Sequence, residues 1–289
     1  MIIMSPPLGQ FLTVGPEGEA DRCELLKSAA TMDVTTITVQ RVRPEYDDDD
    51  VRSLREFLDD NGLSVGEFTG FYKGTRPWGG LGGYDREDHR YTLELYERQL
   101  RHAKILGAHL VGFGTLVGRG TPKMWEEDMW RQVLDGIREL ADLAEEAGMD
   151  IGAHPHVMTC LYSVDRLKQM LDTVASPRLK ILMDPVNLVH PHMAYRTTEL
   201  VDEIFDELGG DIVGLHAKDV AVSGGGKIVS HVGEAVPGEG TMDYHTILRR
   251  LDALDHDVTV HAEHFPYPQT VQGQQYIRSV AREVGVELN

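Results

Sequence analysis

The chain of 289 residues has two cysteines, Cys23 and Cys160. That count allows no disulfide framework and no cysteine-based zinc site. Basic residues are also scarce: 28 Lys and Arg stand against 47 Asp and Glu, for a formal net charge of -19. A chain so acidic argues against binding nucleic acid phosphates through a basic face. No apolar run approaches the roughly 20 residues that span a bilayer. The start of the chain, Met1 to Gly15, has no basic segment followed by an apolar one, so no signal peptide is expected and the reading is cytoplasmic. The first strand is not followed by a glycine-rich dinucleotide fingerprint, which argues against a doubly wound nucleotide-binding sheet. Acidic runs such as Asp47 to Asp50 read as solvated surface.

What is present is an alternation. Short apolar or β-branched runs at Ile2–Met4, Thr35–Gln40, Leu63–Phe68, Ala108–Gly114, Met149–His154, Leu179–Asp184, Asp211–His216 and Asp257–Glu263 read as strands. Between and after them, Glu19–Met32, Val51–Asn61, Glu87–Leu106, Glu126–Ala147, Val164–Val174, Thr197–Leu208, Tyr244–Leu254 and Val271–Val284 read as helices, several closed by glycine. Eight strand–helix units predict an α/β fold, a (βα)8 TIM barrel, with residues 1–289 as one domain. Two long glycine-rich segments, Thr69–Arg86 and Val220–Thr241, read as loops, and loops of that length often serve binding.

Four predicted strands end on polar residues that bind metals. They are His154 before Pro155-His156, Asp184 before Pro185, His216 in the run Gly214-Leu215-His216-Ala217-Lys218-Asp219, and Glu263 in His261-Ala262-Glu263-His264. Side chains alternate along a strand. Each of the four therefore has the parity opposite to the last apolar residues of its own strand. Apolar residues pack under the helices and the four point into the barrel mouth, at the C-terminal face where barrel sites lie. Such a mixture of nitrogen and oxygen donors suits one divalent Mn, Co, Zn, Fe or Mg ion rather than calcium. Two histidines in the set predict that metal affinity falls below roughly pH 6.5, where free imidazole takes up a proton.

These residues resemble the xylose-isomerase-like barrel superfamily, which includes sugar and sugar-phosphate isomerases and epimerases, inosose dehydratases and endonuclease IV. The resemblance rests on ILMDPVN (residues 181–187 with Asp184), GLHAKDV (214–220 with His216), VPGEGTMDY (236–244) and HAEHF (261–265 with Glu263). It implies a metal held by a strand-five Glu, a strand-six Asp, a strand-seven His and a strand-eight Glu. Asp184, His216 and Glu263 match. The strand-five position departs, with His154-Pro155-His156 where the family has Glu-Asn-His. His154 can ligate as neutral imidazole but cannot serve as a second carboxylate base.

The resemblance implies an isomerase or epimerase acting on a sugar, keto-sugar or polyol. The metal would polarise a carbonyl, Glu263 would take the adjacent proton, and His156 or Lys218 would be the acid partner. The missing carboxylate raises lyase or dehydratase chemistry on a keto-sugar, keto-glycoside or cyclitol as the alternative. An endonuclease IV-like phosphodiesterase is disfavoured by charge, and a non-catalytic sugar-binding barrel is the remaining rival. Asn187, His231 and Trp78 are expected to contact substrate, and His190, His192, Glu67 and His264 are further candidates. A small molecule is the expected partner, and a homo-oligomer is compatible with the reading.

Overall fold

The computed structural model describes residues 1–40, 45–69, 80–83, 85–115, 121–224 and 231–289. Its eight parallel strands are β1 (Ile2–Met4), β2 (Thr36–Val39), β3 (Ser64–Thr69), β4 (Leu110–Gly114), β5 (Asp150–His154), β6 (Leu179–Met183), β7 (Ile212–Ala217) and, after a hairpin, β10 (Val258–Ala262). The strand order is β1-β10-β7-β6-β5-β4-β3-β2. The seam between β1 and β2 closes just beyond the first strand, where Thr38 N donates to Pro6 O at 2.9 Å and the Thr38 hydroxyl donates to Ser5 O at 2.8 Å. The helices are α1 (Glu19–Met32), α2 (Asp48–Asp60), α3 (Arg86–Leu106), α4 (Glu127–Ala147), α5 (Val164–Val174), α6 (Thr197–Leu208), α7 (Tyr244–Asp252) and α8 (Tyr267–Val284). The result is the expected (βα)8 barrel.

Local chemistry explains the punctuation. Gly107 and Gly148 close α3 and α4 in the left-handed conformation, at φ of 70° and 69°, where a side chain would be strained. The acidic run is more than solvated surface: Asp47 caps α2 by accepting from the Asp49 and Asp50 N–H groups, and Asp48, Asp49 and Asp50 fill its first turn. Carboxylates there complement the positive end of the helix. Two expectations need correction. Val220–Thr241 is not wholly loop, because β8 (Asp219–Ser223) and β9 (His231–Ala235) pair as an antiparallel hairpin. The alternation Val220, Val222 was concealed by the glycines around it. The last helix begins at Tyr267 rather than Val271, because Pro266 and Pro268 occupy its start, where a missing N–H costs nothing.

Parity works as expected. Ile151, Ala153, Ile181, Met183, Leu215, Val258 and Val260 belong to the core beneath the helices. Residues of opposite parity fill the lumen. Leu182 plugs it, and Gly112, Gly152 and Gly214 make room: a Cβ on any of them would lie 2.7–2.9 Å from a Leu182 carbon. Leu182 and Leu110 thus fill the lumen below the mouth, with Thr259 and the Glu67 carboxylate beside them.

Candidate metal and catalytic centre

His154 ends β5, Asp184 follows β6, His216 lies in β7 and Glu263 follows β10. All four are buried, and each offers a ligand atom within 4.8 Å of the others. His154 Nε2 lies 3.4 Å from Asp184 Oδ2, and His216 Nδ1 lies 3.2 Å from Glu263 Oε2. The rings of His154 and His216 are 4.7 Å apart. Strand ends set this geometry: Pro185 stops the β6 ladder, and the Asn187 N–H then donates to Asp184 Oδ1 at 3.2 Å, which orients the carboxylate. His264, next to Glu263, has φ of 68°, an uncommon conformation for a non-glycine residue and a frequent one at functional sites.

Lys218, just beyond β7, is fully buried among these groups. Its Nζ lies 2.7 Å from Asp184 Oδ2, 3.0 Å from Glu263 Oε2 and 3.0 Å from Glu234 Oε1, and donates to Asn187 Oδ1 at 3.1 Å. Burial alone would lower its pKa, but Asp184 and Glu263 reverse the balance and raise it. Lys218 is thus a fixed cation. The adjacent Asp219 is not among its partners: it accepts from the backbone of Val220, Met242 and Gly238 and holds the turns around the site.

The structure adds Glu234, which sequence reasoning missed. It sits on β9, partly exposed, and its carboxylate joins Lys218 to His264, whose Nδ1 is 3.0 Å away. His264 Nε2 lies 3.3 Å from Glu263 Oε1. Hydrogen bonds to Glu234 and Glu263 raise the His264 pKa to about 9. Only the hairpin geometry brings Glu234 here, and recognising a strand in Val220–Thr241 was the signal that could have found it. Beneath the four, Glu67 meets His216 and His261 in the lumen.

The other expected residues are distributed as follows. Asn187 is buried and braces Lys218 while donating to Pro155 O. His156 accepts from the Met158 N–H at 3.0 Å within the turn after β5 and lies outside the cluster of ligand atoms. His231 is exposed at the end of β9 opposite Ser223, four residues from the end of the hairpin nearest the site. His190 and His192 stack on each other, ring centres 6.1 Å apart. Trp78 lies outside the described residues.

The donor chemistry fits a divalent cation: two carboxylates, two imidazoles and a common point between them. Burial, the largest effect, holds His154 below the usual imidazole value, so it is neutral and able to ligate. His216 differs. Burial would lower its pKa, yet Glu263 and Glu67 raise it to about 10. A cation must therefore displace a proton from His216 at neutral pH. This widens the pH window expected from the sequence. Apparent metal affinity should rise with pH by about one decade per unit up to about 10, with His154 adding a second proton only in acid. Titration calorimetry between pH 6.5 and 9 checks this, and a flat profile there would rule out proton displacement from His216.

Residues 26–280 match a protein-family model described as xylose isomerase-like TIM barrel. An inosose dehydratase of Geobacillus thermodenitrificans is 24% identical over 177 residues, covering 54% of this chain and 56% of that enzyme. The chain thus matches little more than half the length of that relative. A xylose isomerase-like TIM barrel protein of Mycobacterium smegmatis, solved in complex with magnesium, superposes with a TM-score of 0.73 at 17% identity, over 98% of this chain and 97% of that one. An L-ribulose 3-epimerase superposes with a TM-score of 0.71 at 13% identity, over 99% and 96%. Among the described residues, no helix is long and apolar enough to cross a membrane.

Proposed function

Because the chain belongs to the xylose isomerase-like TIM barrel family, we propose that it is a metal-dependent enzyme that removes a proton next to a carbonyl in a sugar, keto-sugar or polyol. Dehydration of a polyhydroxy ketone, such as a keto-cyclitol, is the preferred outcome. The convergence of His154, Asp184, His216 and Glu263 at four strand tips carries the reading. A bound divalent ion would supply positive charge that acidifies a C–H beside a ligated carbonyl oxygen.

The chain's own residues do the rest. Glu263 is the group placed to accept the proton: His216, hydrogen bonds and Lys218 hold its pKa well below the ordinary carboxylate range despite burial, so it is ionised and free of a proton at neutral pH. Lys218 holds Asp184 and Glu263 in place and counters negative charge that develops on the substrate oxygen. Its raised pKa makes it a poor proton donor, so it is set aside as the acid. His264, which retains its proton up to about pH 9 and faces Glu263, is better placed than His156 to deliver one. In dehydration the C–H proton goes to Glu263, the β C–O bond breaks, and the departing hydroxide takes a proton from the acid and leaves as water.

Two observations favour dehydration over epimerisation. The sequence relative is named a dehydratase, and the strand-five tip carries imidazole rather than a second carboxylate. Epimerisation is the second reading, favoured by Glu234, a carboxylate that the hairpin brings to the same site.

The test is a panel of keto-cyclitols and keto-sugars incubated with metal-loaded protein, followed by mass spectrometry for loss of water and by NMR for epimers. Chelation, or Asp184→Ala combined with His216→Ala, should empty the protein of metal and lower turnover by at least about a hundredfold, within the range of lost acid–base catalysis. Equal metal content in wild type and double variant would sink the site.

A further inference from the structure

Glu67 lies one pleat below the ligand tips on β3, 1% exposed, and its carboxylate crosses the lumen to β7. The strand order separates these two strands by three others. The crossing is possible because β4 has Gly112, where a Cβ would lie 3.3 Å from Glu67 Oε1 and 2.7 Å from Leu182. Glu67 Oε1 and Oε2 lie 3.1 and 3.3 Å from His216 Nε2. Oε2 also lies 3.3 Å from His261 Nδ1, and Oε1 accepts the Thr69 hydroxyl. The other nitrogen of the same ring, His216 Nδ1, faces Glu263 and the ligand cluster.

We propose that Glu67 is a positioning residue that fixes the tautomer of His216. A neutral imidazole carries one N–H, and an ionised carboxylate can only accept. Both oxygens of Glu67 face Nε2, so the N–H of the neutral ring is held there and the Nδ1 lone pair is left toward Glu263 and the cluster, where it would be free to ligate. A carboxylate buried this deeply is costly without such a role, and the hydrogen bond that a ligating histidine donates from its other ring nitrogen to an outer acceptor commonly sets ring orientation and basicity. Thr69 and His261 fix Glu67 in turn. The proposal rests on the metal-dependent reading above.

Cobalt(II) is the probe. Wild type, Glu67→Gln and Glu67→Leu are compared for cobalt affinity by competition with a chromophoric chelator. The hyperfine-shifted ring N–H resonances of the ligating histidines are compared by proton NMR. Glu67→Leu is expected to weaken cobalt binding by about 10- to 100-fold and to shift one N–H resonance and speed its exchange with solvent. The resonance from His154, which Glu67 does not touch, should stay in place as the internal control. Glu67→Gln offers a neutral acceptor and should fall between the two in both readouts. Wild-type affinity with an unchanged N–H in either variant overturns the inference, and so does equal displacement of both resonances, which marks general structural damage. If Glu67→Leu does not fold, Glu67→Gln decides by the same criteria. A wild type that binds no cobalt overturns the metal-dependent reading itself and this inference with it. Tight wild-type binding that ignores Glu67 overturns only the inference.

Discussion

Lys218→Met is expected to destabilise the metal-free protein by about 3–5 kcal/mol, the range for removing one member of a buried ion pair, and to do much less in the metal-loaded protein. Lys218 is fully buried, and its ammonium contacts Asp184, Glu263 and Glu234. Methionine fills similar volume but leaves Asp184 and Glu263 buried without that cation. The pH sign follows from the raised pKa of Lys218. A group whose folded pKa lies above its unfolded value stabilises fully below the unfolded value, near 10.4 for lysine, and loses that contribution only as pH rises through the folded one. The contribution is therefore complete at neutral pH. A divalent ion among His154, Asp184, His216 and Glu263 would return positive charge to the same carboxylates, and ligand binding adds stability by mass action. Denaturant unfolding of both proteins, in chelator and in saturating manganese, checks this. Equal losses in the two conditions would show that Lys218 and the metal do not share these carboxylates, and no loss in chelator would sink the charge argument altogether.

Much of this site can be read from sequence because a barrel turns strand parity into position. Asp184 before Pro185 and Glu263 two residues after His261 announce both the end of a strand and the face it presents. The convergence of the four candidate ligands then follows from the parallel order of β5, β6, β7 and β10. Helix ends marked by glycine were likewise legible, as at Gly107 and Gly148, and α5 and α6 fall on their expected residues, whereas the Asp47 cap that starts α2 ahead of Val51 was not read. What could not be read depends on contacts between distant segments. Glu234 looks like one more surface acid until the β8–β9 hairpin carries it to Lys218 and His264. Glu67 looks like a strand residue until the lumen is assembled and it meets His216, 149 positions away. The pKa of His216 could not be read for the same reason. A lone imidazole titrates near 6.5, while one held between Glu67 and Glu263 keeps its proton to about pH 10.

His154→Glu should lower turnover on the true substrate by an order of magnitude or more, about 1.4 kcal/mol in the barrier for each tenfold. The substitution restores the carboxylate that related barrels are expected to carry on strand five, so two outcomes are open to it. If the protein were an epimerase that tolerates imidazole, the metal would stay bound, a second base would return and activity would hold or rise. The surroundings of His154 argue otherwise. Its Nε2 already lies 3.4 Å from Asp184 Oδ2, its ring packs 4.7 Å from that of His216, and Asp184 and Glu263 share one buried cation, Lys218. A third carboxylate among the ligands adds like-charge repulsion, raises the pKa of its neighbours and draws down the charge of a bound ion, weakening its pull on a carbonyl oxygen. Glu263 would become a stronger base at the cost of a less acidic substrate, and the C–H step depends on both. Metal content should remain high, because four ligands are still present, so the loss should appear in kcat rather than in loading. Wild type and His154→Glu assayed side by side on the keto-cyclitol and keto-sugar panel, with metal content measured on the same samples, decide between the outcomes. A variant that epimerises as fast as the wild type turns over would reverse the preference for dehydration and make the imidazole at the strand-five tip a neutral replacement.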